Sequence, residues 1–163
     1  METIILGGGC FWCLEAIFTQ INGVIKVASG YAGGNKSNPT YQEVCSEITG
    51  HAEVVQVEFN SAQVSNHELL NLFWSIHDPT TLNAQGGDRG TQYRSIVMTE
   101  TDEQRETAER VIRELMAVFS GSGHLRRVAS TPDALASVAQ ALDDPENQAG
   151  DQHRHQHNGE SDA

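Results

Sequence analysis

The sequence predicts an α+β fold, a two-layer sandwich in which a largely antiparallel sheet carries helices on one face. Two observations support this. Four stretches have the composition of β-strands, and three stretches between or after them repeat apolar residues at helical spacing. Their order is β-α-β, a loop, then β-α-β-α, and two βαβ units of this kind are typical of a ferredoxin-like arrangement. A chain of 163 residues is long enough to give such a domain a real core.

The first β-α unit is organised around the stretch Gly7-Gly8-Gly9-Cys10-Phe11-Trp12-Cys13. A β-prone run at 3–6 leads into the three glycines, and apolar residues follow at helical spacing. The pattern predicts a strand that turns directly into a helix from about Cys13 to Gln20. A second strand, Val24 to Tyr31, follows after Asn22-Gly23, which is a plausible helix C-cap.

Two thiols lie at the predicted start of this helix. The unpaired N–H groups and the positive dipole end there favour a thiolate, so we expect the pKa of Cys10 to lie below the free value of about 8.5. Cys10 is therefore the candidate nucleophile. Cys13 lies three residues on, with the two Cβ atoms roughly 5–6 Å apart, and is the candidate resolving thiol.

Other interpretations of the two thiols are weaker. A thiol can serve simply as a small buried apolar group. Zinc would need four ligands, and no second Cys-x-x-Cys or His-x-His pair follows within the compact part of the chain, so no metal is expected. The glycines also lack a Walker lysine or a spaced G-x-G-x-x-G pattern for phosphate.

The middle of the chain contains the second candidate group. A turn-rich segment, Gly33 to Pro39, precedes a short helical turn, Tyr41 to Cys45, and then a strand, His51 to Phe59. With period two, Glu53 shares a face of this strand with Val55, Val57 and Phe59. A buried carboxyl favours the neutral acid and can donate a proton near neutral pH, whereas a carboxyl at the end of the strand can also remain in water.

The remaining elements follow from capping patterns and turns. Ser65-x-x-Glu68 is a capping box that opens a helix, and Thr101-x-x-Gln104 caps a last one. Between them lie a long connection, His77 to Gln92, and a strand, Tyr93 to Thr99. The stripe of the last helix consists of Ala108, Val111, Ile112, Leu115 and Phe119.

Charge and composition exclude several classes of partner. The formal charge of −12 argues against nucleic acid and anionic membranes. No apolar run approaches a membrane span, and no basic stretch followed by a hydrophobic one opens the chain, so we expect a cytoplasmic protein. Three cysteines in such a protein indicate redox chemistry more readily than a disulfide framework.

Three separated motifs together resemble one family. Gly9-Cys10-Phe11-Trp12, Gly50-His51-Ala52-Glu53 and Gly90-Thr91-Gln92-Tyr93-Arg94-Ser95 occur in the order found in peptide methionine sulfoxide reductase A, and the likeness runs from about Ile4 to Phe119. The resemblance implies the α+β core described above. It also implies a thioredoxin-dependent oxidoreductase that reduces methionine-S-sulfoxide, free or in proteins, and so repairs oxidative damage.

The same resemblance implies a role for individual residues. Cys10 is the nucleophile, Glu53 the acid, and Cys13 the thiol that closes an intramolecular disulfide with Cys10. The substrate-binding residues would be Phe11 and Trp12 around the S-methyl group, Tyr41 and Tyr93 on the sulfoxide oxygen, and Asp88 lining the site. In the family Cys45 is not catalytic. Family members bind no metal or organic cofactor; thioredoxin, or dithiothreitol in vitro, is the reductant, and we expect a monomer.

The resemblance weakens after the last predicted helix. We expect residues 1–119 to form the catalytic domain, with a C-terminal part that lacks the further strand and the aromatic, acidic and histidine-containing segment usual in the family. Residues 120–142 are an atypical extension with one weak helix, and 143–163 an acidic, histidine-containing tail expected to be disordered. The altered end leaves the level of activity open.

Two other functions remain open. Cys10-Phe11-Trp12-Cys13 after a strand is also typical of a general thiol–disulfide oxidoreductase, which would reduce protein disulfides but not the sulfoxide. The chain could also be a degenerate reductase that binds oxidised methionine without turnover. An assay of both sulfoxide epimers separates these alternatives.

Overall fold

The structure is a computed structural model and describes residues 1–118 and 128–130, with side chains as far as residue 115. In chain order its elements are β1 (Glu2–Gly7), α1 (Phe11–Phe18), β2 (Val24–Ala32), α2 (Tyr41–Cys45), β3 (Ala52–Phe59), α3 (Asn66–Ser75), β4 (Ala84–Gln85), β5 (Asp88–Arg89), a 3-10 helix (Thr91–Tyr93), β6 (Ile96–Thr99), α4 (Asp102–Val118) and β7 (Val128–Ser130).

The main sheet has the order β2-β3-β1-β6-β7. Its first four strands are antiparallel, with Leu6 of β1 opposite Val55 of β3 on one side and Val97 of β6 on the other. Each βαβ unit therefore crosses over the strand of the other unit, which is the predicted ferredoxin-like arrangement. The fold class is confirmed.

Strand β7 pairs in parallel with β6 and was not predicted. The sequence predicts no further strand beyond the last helix, because the residues after 119 contain no aromatic residue and no cysteine. The structure shows that three residues, Val128–Ser130, suffice to extend the sheet edge through backbone pairing with Val97 to Thr99.

Apolar side chains pack on both faces of the sheet. Helices α1, α3 and α4 cover the face that carries Val55, Val57 and Phe59, and Leu14, Leu70 and Val111 are among the helical residues in that core. A second cluster occupies the opposite face and consists of Ile5, Ala32, Ala52, Val54, Ile96 and Met98. The period-two assignment of β3 is thus confirmed.

Capping side chains fix where α2 and α3 begin. Ser65 Oγ accepts the Glu68 N–H at 3.2 Å, and the Glu68 carboxylate accepts the Ser65 N–H at 2.8 Å. Thr40 and Glu43 form the same reciprocal pair at the start of α2. These boxes satisfy backbone donors that the first helical turn leaves unpaired.

Several predicted boundaries are wrong. Helix α1 begins at Phe11, two residues before the predicted start, and ends at Phe18 with Thr19, not Asn22-Gly23, as its C-cap. Tyr93 does not begin a strand, because its N–H bonds to the Gly90 carbonyl at 3.1 Å and bends the chain into a 3-10 helix, so β6 starts at Ile96. The connection 77–92 also contains the hairpin β4–β5.

Some predictions fall outside the described residues. These are the side chain of Phe119, the weak helix expected at 131–142 and the disordered tail expected at 143–163. Within residues 1–118 and 128–130, no helix is both long and apolar enough to cross a membrane.

Candidate active site

The turn between β1 and α1 brings the backbone against three neighbouring elements. A Cβ on Gly7 would lie 2.7 Å from the Glu53 carbonyl oxygen, and a Cβ on Gly8 would lie 2.9 Å from the His77 ring. Gly9 has φ +96°, a backbone conformation that residues with a side chain rarely adopt. The glycine run is therefore needed to place Cys10 close to β3.

Cys10 is the N-cap residue of α1. Its carbonyl oxygen accepts the Cys13 N–H at 3.1 Å and so closes the first helical turn. The Cys10 side chain is half-buried and Cys13 is exposed, and both are reduced thiols. The predicted position of the pair, at the change from strand to helix, is confirmed.

The expected pKa of the nucleophile is wrong in direction. Burial raises the pKa of Cys10 above its ordinary value of 9.0, and the nearby Cys13 thiol and Glu53 carboxyl raise it further. Hydrogen bonds from the Cys13 and Trp12 backbone N–H groups lower the pKa but do not outweigh the loss of water around the sulfur. The same packing that brings Cys10 to Glu53 disfavours the thiolate.

Glu53 lies beneath the start of α1. Glu53 is 1% exposed. The carboxyl is therefore buried and does not remain in water at the end of the strand. One carboxyl oxygen, Oε2, accepts the backbone N–H of Phe11 at 3.2 Å. This bond ties Glu53 to the residue next to Cys10, so the strand and the helix N-terminus share one site.

Aromatic rings line this site. The rings of Phe11 and Trp12 lie 5.2 Å apart between centroids, and those of Phe11 and Tyr31 lie 5.5 Å apart. Phe11 and Tyr31 are buried, whereas Trp12 is partly exposed. The three rings form an aromatic wall that begins at the residue next to Cys10.

Tyr31 is a site residue that the sequence analysis treated only as the end of a strand. It lies directly opposite Glu53 in the β2–β3 pairing, so both side chains are on the same face of the sheet. Burial, and after it the electrostatic effect of Glu53, raises the pKa of Tyr31 above its ordinary value of 10.0. Among the described residues its buried hydroxyl has no hydrogen-bond partner.

The two tyrosines that the family resemblance implies, Tyr41 and Tyr93, lie near the Tyr31 hydroxyl. Cys45, Tyr41 and Tyr93 also act electrostatically on the Tyr31 hydroxyl, so they lie near it. Tyr41 is the first residue of α2 and Tyr93 the last of the 3-10 helix. The two motifs that carry them, more than fifty residues apart in sequence, thus meet at Glu53.

His51 holds the loop that leads to Tyr41. Its Nδ1 accepts the Gly34 N–H at 3.3 Å, so Nε2 carries the proton and donates to the Lys36 carbonyl at 2.8 Å. A Cβ on Gly34 would lie 2.4 Å from the ring. The histidine of the second motif therefore holds the segment before α2 in place through these two backbone contacts.

The hairpin β4–β5 forms the remaining wall. Asp88 lies opposite Gln85 in the hairpin, and the Gln85 side chain packs on Gly9. This contact places the hairpin one residue from Cys10. Asp88, which the family resemblance implies lines the site, therefore belongs to a hairpin that contacts the turn before Cys10.

The arrangement combines a thiol, a buried carboxyl and phenol hydroxyls around a small aromatic wall. A thiol can attack an electrophilic sulfur, and a buried acid can protonate the oxygen that sulfur carries. Within the part of the chain that the structure describes, no group of three or more His, Cys, Asp or Glu side chains is placed to hold a metal ion.

Comparison with known proteins gives matches over the same region. The family model of peptide methionine sulfoxide reductase matches residues 2–125. The peptide methionine sulfoxide reductase MsrA of Saccharolobus solfataricus is 57% identical over 115 residues, and that of Polynucleobacter asymbioticus is 56% identical over 115 residues. The solved structure of methionine sulfoxide reductase A of Corynebacterium diphtheriae is 36% identical, with a TM-score of 0.72.

The matches cover different shares of each chain. Both curated relatives match 71% of this chain, which covers 65% of the Saccharolobus protein and 60% of the Polynucleobacter protein. The Corynebacterium structure matches 86% of this chain and is itself covered over 67% of its length. This chain thus spans less than two thirds of the length of the two curated relatives.

Proposed function

The chain belongs to the peptide methionine sulfoxide reductase A family, and on this basis we propose that it reduces methionine-S-sulfoxide, free or in proteins, to methionine. The observation that carries the proposal is the contact between the start of α1 and Glu53, through the 3.2 Å hydrogen bond from the Phe11 N–H. It supports a mechanism in which a thiol and a buried acid act on the two atoms of one S=O group.

In the first step the Cys10 sulfur attacks the sulfoxide sulfur while Glu53 gives a proton to the sulfoxide oxygen. A sulfoxide is a poor electrophile until its oxygen is protonated or hydrogen-bonded, so the acid must act as the thiolate attacks. The oxygen passes to Cys10, which becomes a sulfenic acid, and methionine leaves as the thioether. The substrate is reduced by two electrons and Cys10 is oxidised by two.

In the second step the Cys13 thiol condenses with the sulfenic acid. A Cys10–Cys13 disulfide forms and water leaves. A dithiol reductant then exchanges with this bridge and is itself oxidised to a disulfide. We assign this part to thioredoxin, with dithiothreitol as its substitute in vitro, and no bound cofactor enters the cycle.

The remaining site residues bind the substrate. Phe11 and Trp12 contact the S-methyl group, and the packing of their rings, 5.2 Å apart between centroids, supports a continuous apolar surface for it. Tyr41 and Tyr93 hold the sulfoxide oxygen near Glu53, and Asp88 lines the site. The enzyme acts as a cytoplasmic monomer in this proposal, with residues 1–119 as its catalytic domain.

The test compares the two epimers of methionine sulfoxide with dithiothreitol or thioredoxin as reductant. We expect turnover of the S epimer alone and its loss in Cys10→Ser. Reduction of insulin disulfides without turnover of either epimer would instead identify a general thiol–disulfide oxidoreductase. Binding of the S epimer by a folded protein without turnover would identify a non-catalytic binder.

A further inference from the structure

Gln85 lies closer to the nucleophile's turn than its position in the sequence suggests. It is the last residue of β4, and a Cβ built on Gly9 would lie 2.7 Å from the Gln85 Cγ and 2.8 Å from its Cβ. The Gln85 side chain therefore rests on the backbone immediately before Cys10. Only a glycine at position 9 admits this contact.

The carboxamide of Gln85 has an unused donor. Its Nε2 is shielded from solvent and has no hydrogen-bond acceptor among the described residues. Most buried polar groups in folded proteins are paired, because an unpaired one loses its bonds to water without replacement. The last side-chain torsion of glutamine has a broad energy minimum, so this donor can turn toward an acceptor that arrives in the site.

The neighbour of Gln85 supplies the complementary group. Asp88 lies directly opposite Gln85 in the hairpin, so the two side chains project from the same face. The turn between them, Gly86-Gly87, points into open space, since a Cβ on either glycine would meet nothing within 4 Å. An amide donor beside a carboxylate acceptor matches the C=O and N–H groups of a peptide backbone.

We propose that Gln85 is a specificity-determining residue that donates a hydrogen bond to the main-chain carbonyl of a peptide containing oxidised methionine. The inference rests on the proposed function and refines it, because it assigns recognition of the peptide backbone to β4 and leaves the sulfoxide chemistry to Cys10 and Glu53. Gln85 therefore contributes to the binding of peptides and not to that of a sulfoxide without a backbone.

The first test uses two substrates. N-acetyl-methionine-(S)-sulfoxide N-methylamide carries the backbone, and ethyl methyl sulfoxide has the same reacting group without it. Gln85→Met keeps the unbranched packing on Gly9 and removes the donor. We expect kcat/KM for the amide substrate to fall between about threefold and tenfold, through KM, with ethyl methyl sulfoxide unchanged.

The matched control is Gln63→Met. Gln63 is exposed in the turn after β3. This turn lies at the end of the sheet remote from Cys10, because the end of β3, Phe59, pairs with Glu2 at the start of β1, whereas Gly7 at the other end of β1 leads to Cys10. We expect both substrates to behave as in the wild type. An equal loss with both substrates in Gln85→Met, or no loss with the amide substrate, would overturn the proposal.

The second test does not depend on turnover. In Cys10→Ser, calorimetry measures Kd for the same amide substrate with and without Gln85→Met, and we expect binding weaker by the same threefold to tenfold. An equal Kd, or no binding at all, would overturn the role of Gln85. If the wild-type enzyme reduces neither sulfoxide yet this difference in Kd is found, the proposed function fails and the assignment of Gln85 stands.

Discussion

The backbone N–H of Phe11 donates a hydrogen bond to Glu53 Oε2 at 3.2 Å, and this bond joins the helix that begins after Cys10 to the acid on β3. A backbone donor at a helix N-terminus cannot turn away as a side chain can. The packing of α1 on the sheet therefore sets the distance between the Cys10 turn and the Glu53 carboxyl. Substitutions of Glu53 can then distinguish its role as a proton donor from its role in holding α1.

Glu53→Gln keeps an oxygen that can accept the Phe11 N–H but cannot give up a proton. We expect the rate of sulfoxide reduction to fall by about 100-fold or more, as is typical for loss of a general acid, with little change in the urea midpoint. Single-turnover kinetics on the S epimer measure the first quantity. Glu53→Ala leaves the Phe11 donor unpaired and should lower the midpoint as well. An active Glu53→Gln would show that another group supplies the proton.

Substitutions of the two thiols should differ in the number of methionines formed per enzyme. Cys13→Ser can still form the sulfenic acid on Cys10, so we expect about one methionine per enzyme in a burst and then no recycling by thioredoxin. Cys10→Ser should give no burst. Cys45→Ser is the control and should show wild-type turnover. Steady turnover of Cys13→Ser with thioredoxin would contradict the assignment of Cys13 as the resolving thiol.

The raised pKa of Cys10 predicts a steep pH dependence of its reactivity. Because burial raises this pKa above 9.0, the thiolate is scarce at pH 7 and its fraction grows about tenfold per pH unit up to the pKa. In Cys13→Ser/Cys45→Ser the rate of alkylation by iodoacetamide should still be rising at pH 9. The urea-unfolded chain is the control and should level off earlier. A plateau below pH 8 in the folded protein would contradict the raised pKa.

His77 should make stability depend on pH. Burial lowers its pKa below 6.5, and its ring bonds to the Phe73 carbonyl at 2.6 Å and to Ser95 Oγ at 2.9 Å. The unfolded chain then binds a proton that the folded chain does not, so the free energy of unfolding falls as pH drops from 6.5 through the lowered pKa. The loss is at most about 1.4 kcal/mol per pH unit.

Urea denaturation between pH 7.5 and 5 tests this dependence. His77→Gln should flatten the curve. An unchanged slope in His77→Gln would show that other groups cause the dependence.

Tyr31→Phe should stabilise the protein. The change removes a hydroxyl that is buried without a partner among the described residues and keeps the ring against Phe11. Loss of such a group is expected to raise the free energy of unfolding by about 1 kcal/mol. Tyr31→Leu removes the ring contact too and should destabilise. A lower stability of Tyr31→Phe would mean that the hydroxyl is paired in the folded protein.

Local patterns in the sequence predicted much of this site. Three glycines before a cysteine, followed by helical spacing, placed Cys10 at a helix N-terminus, and period two put Glu53 on the core face of β3. Both inferences depend only on residues within one turn or one strand. The capping box at Ser65 and Glu68 was readable for the same reason.

Features that depend on long-range pairing were not predictable. Tyr31 meets Glu53 because of the β2–β3 register, which the order of strands alone does not give. Gln85 contacts Gly9 only because the short hairpin β4–β5 forms inside the connection 77–92. The pKa of Cys10 depends on how deeply the tertiary structure buries the sulfur, so an argument from the helix dipole alone gave the wrong direction.

In the proposed cycle, the unequal exposure of the two sulfurs would give recycling a direction. Cys13 is exposed and Cys10 is half-buried, so we expect an incoming reductant to attack Cys13. Exchange at Cys13 makes Cys10 the leaving group, so the inner sulfur regains its electrons before the mixed disulfide with the reductant is resolved. We therefore expect the Cys10 thiol to be free for another substrate while the reductant is still attached to Cys13.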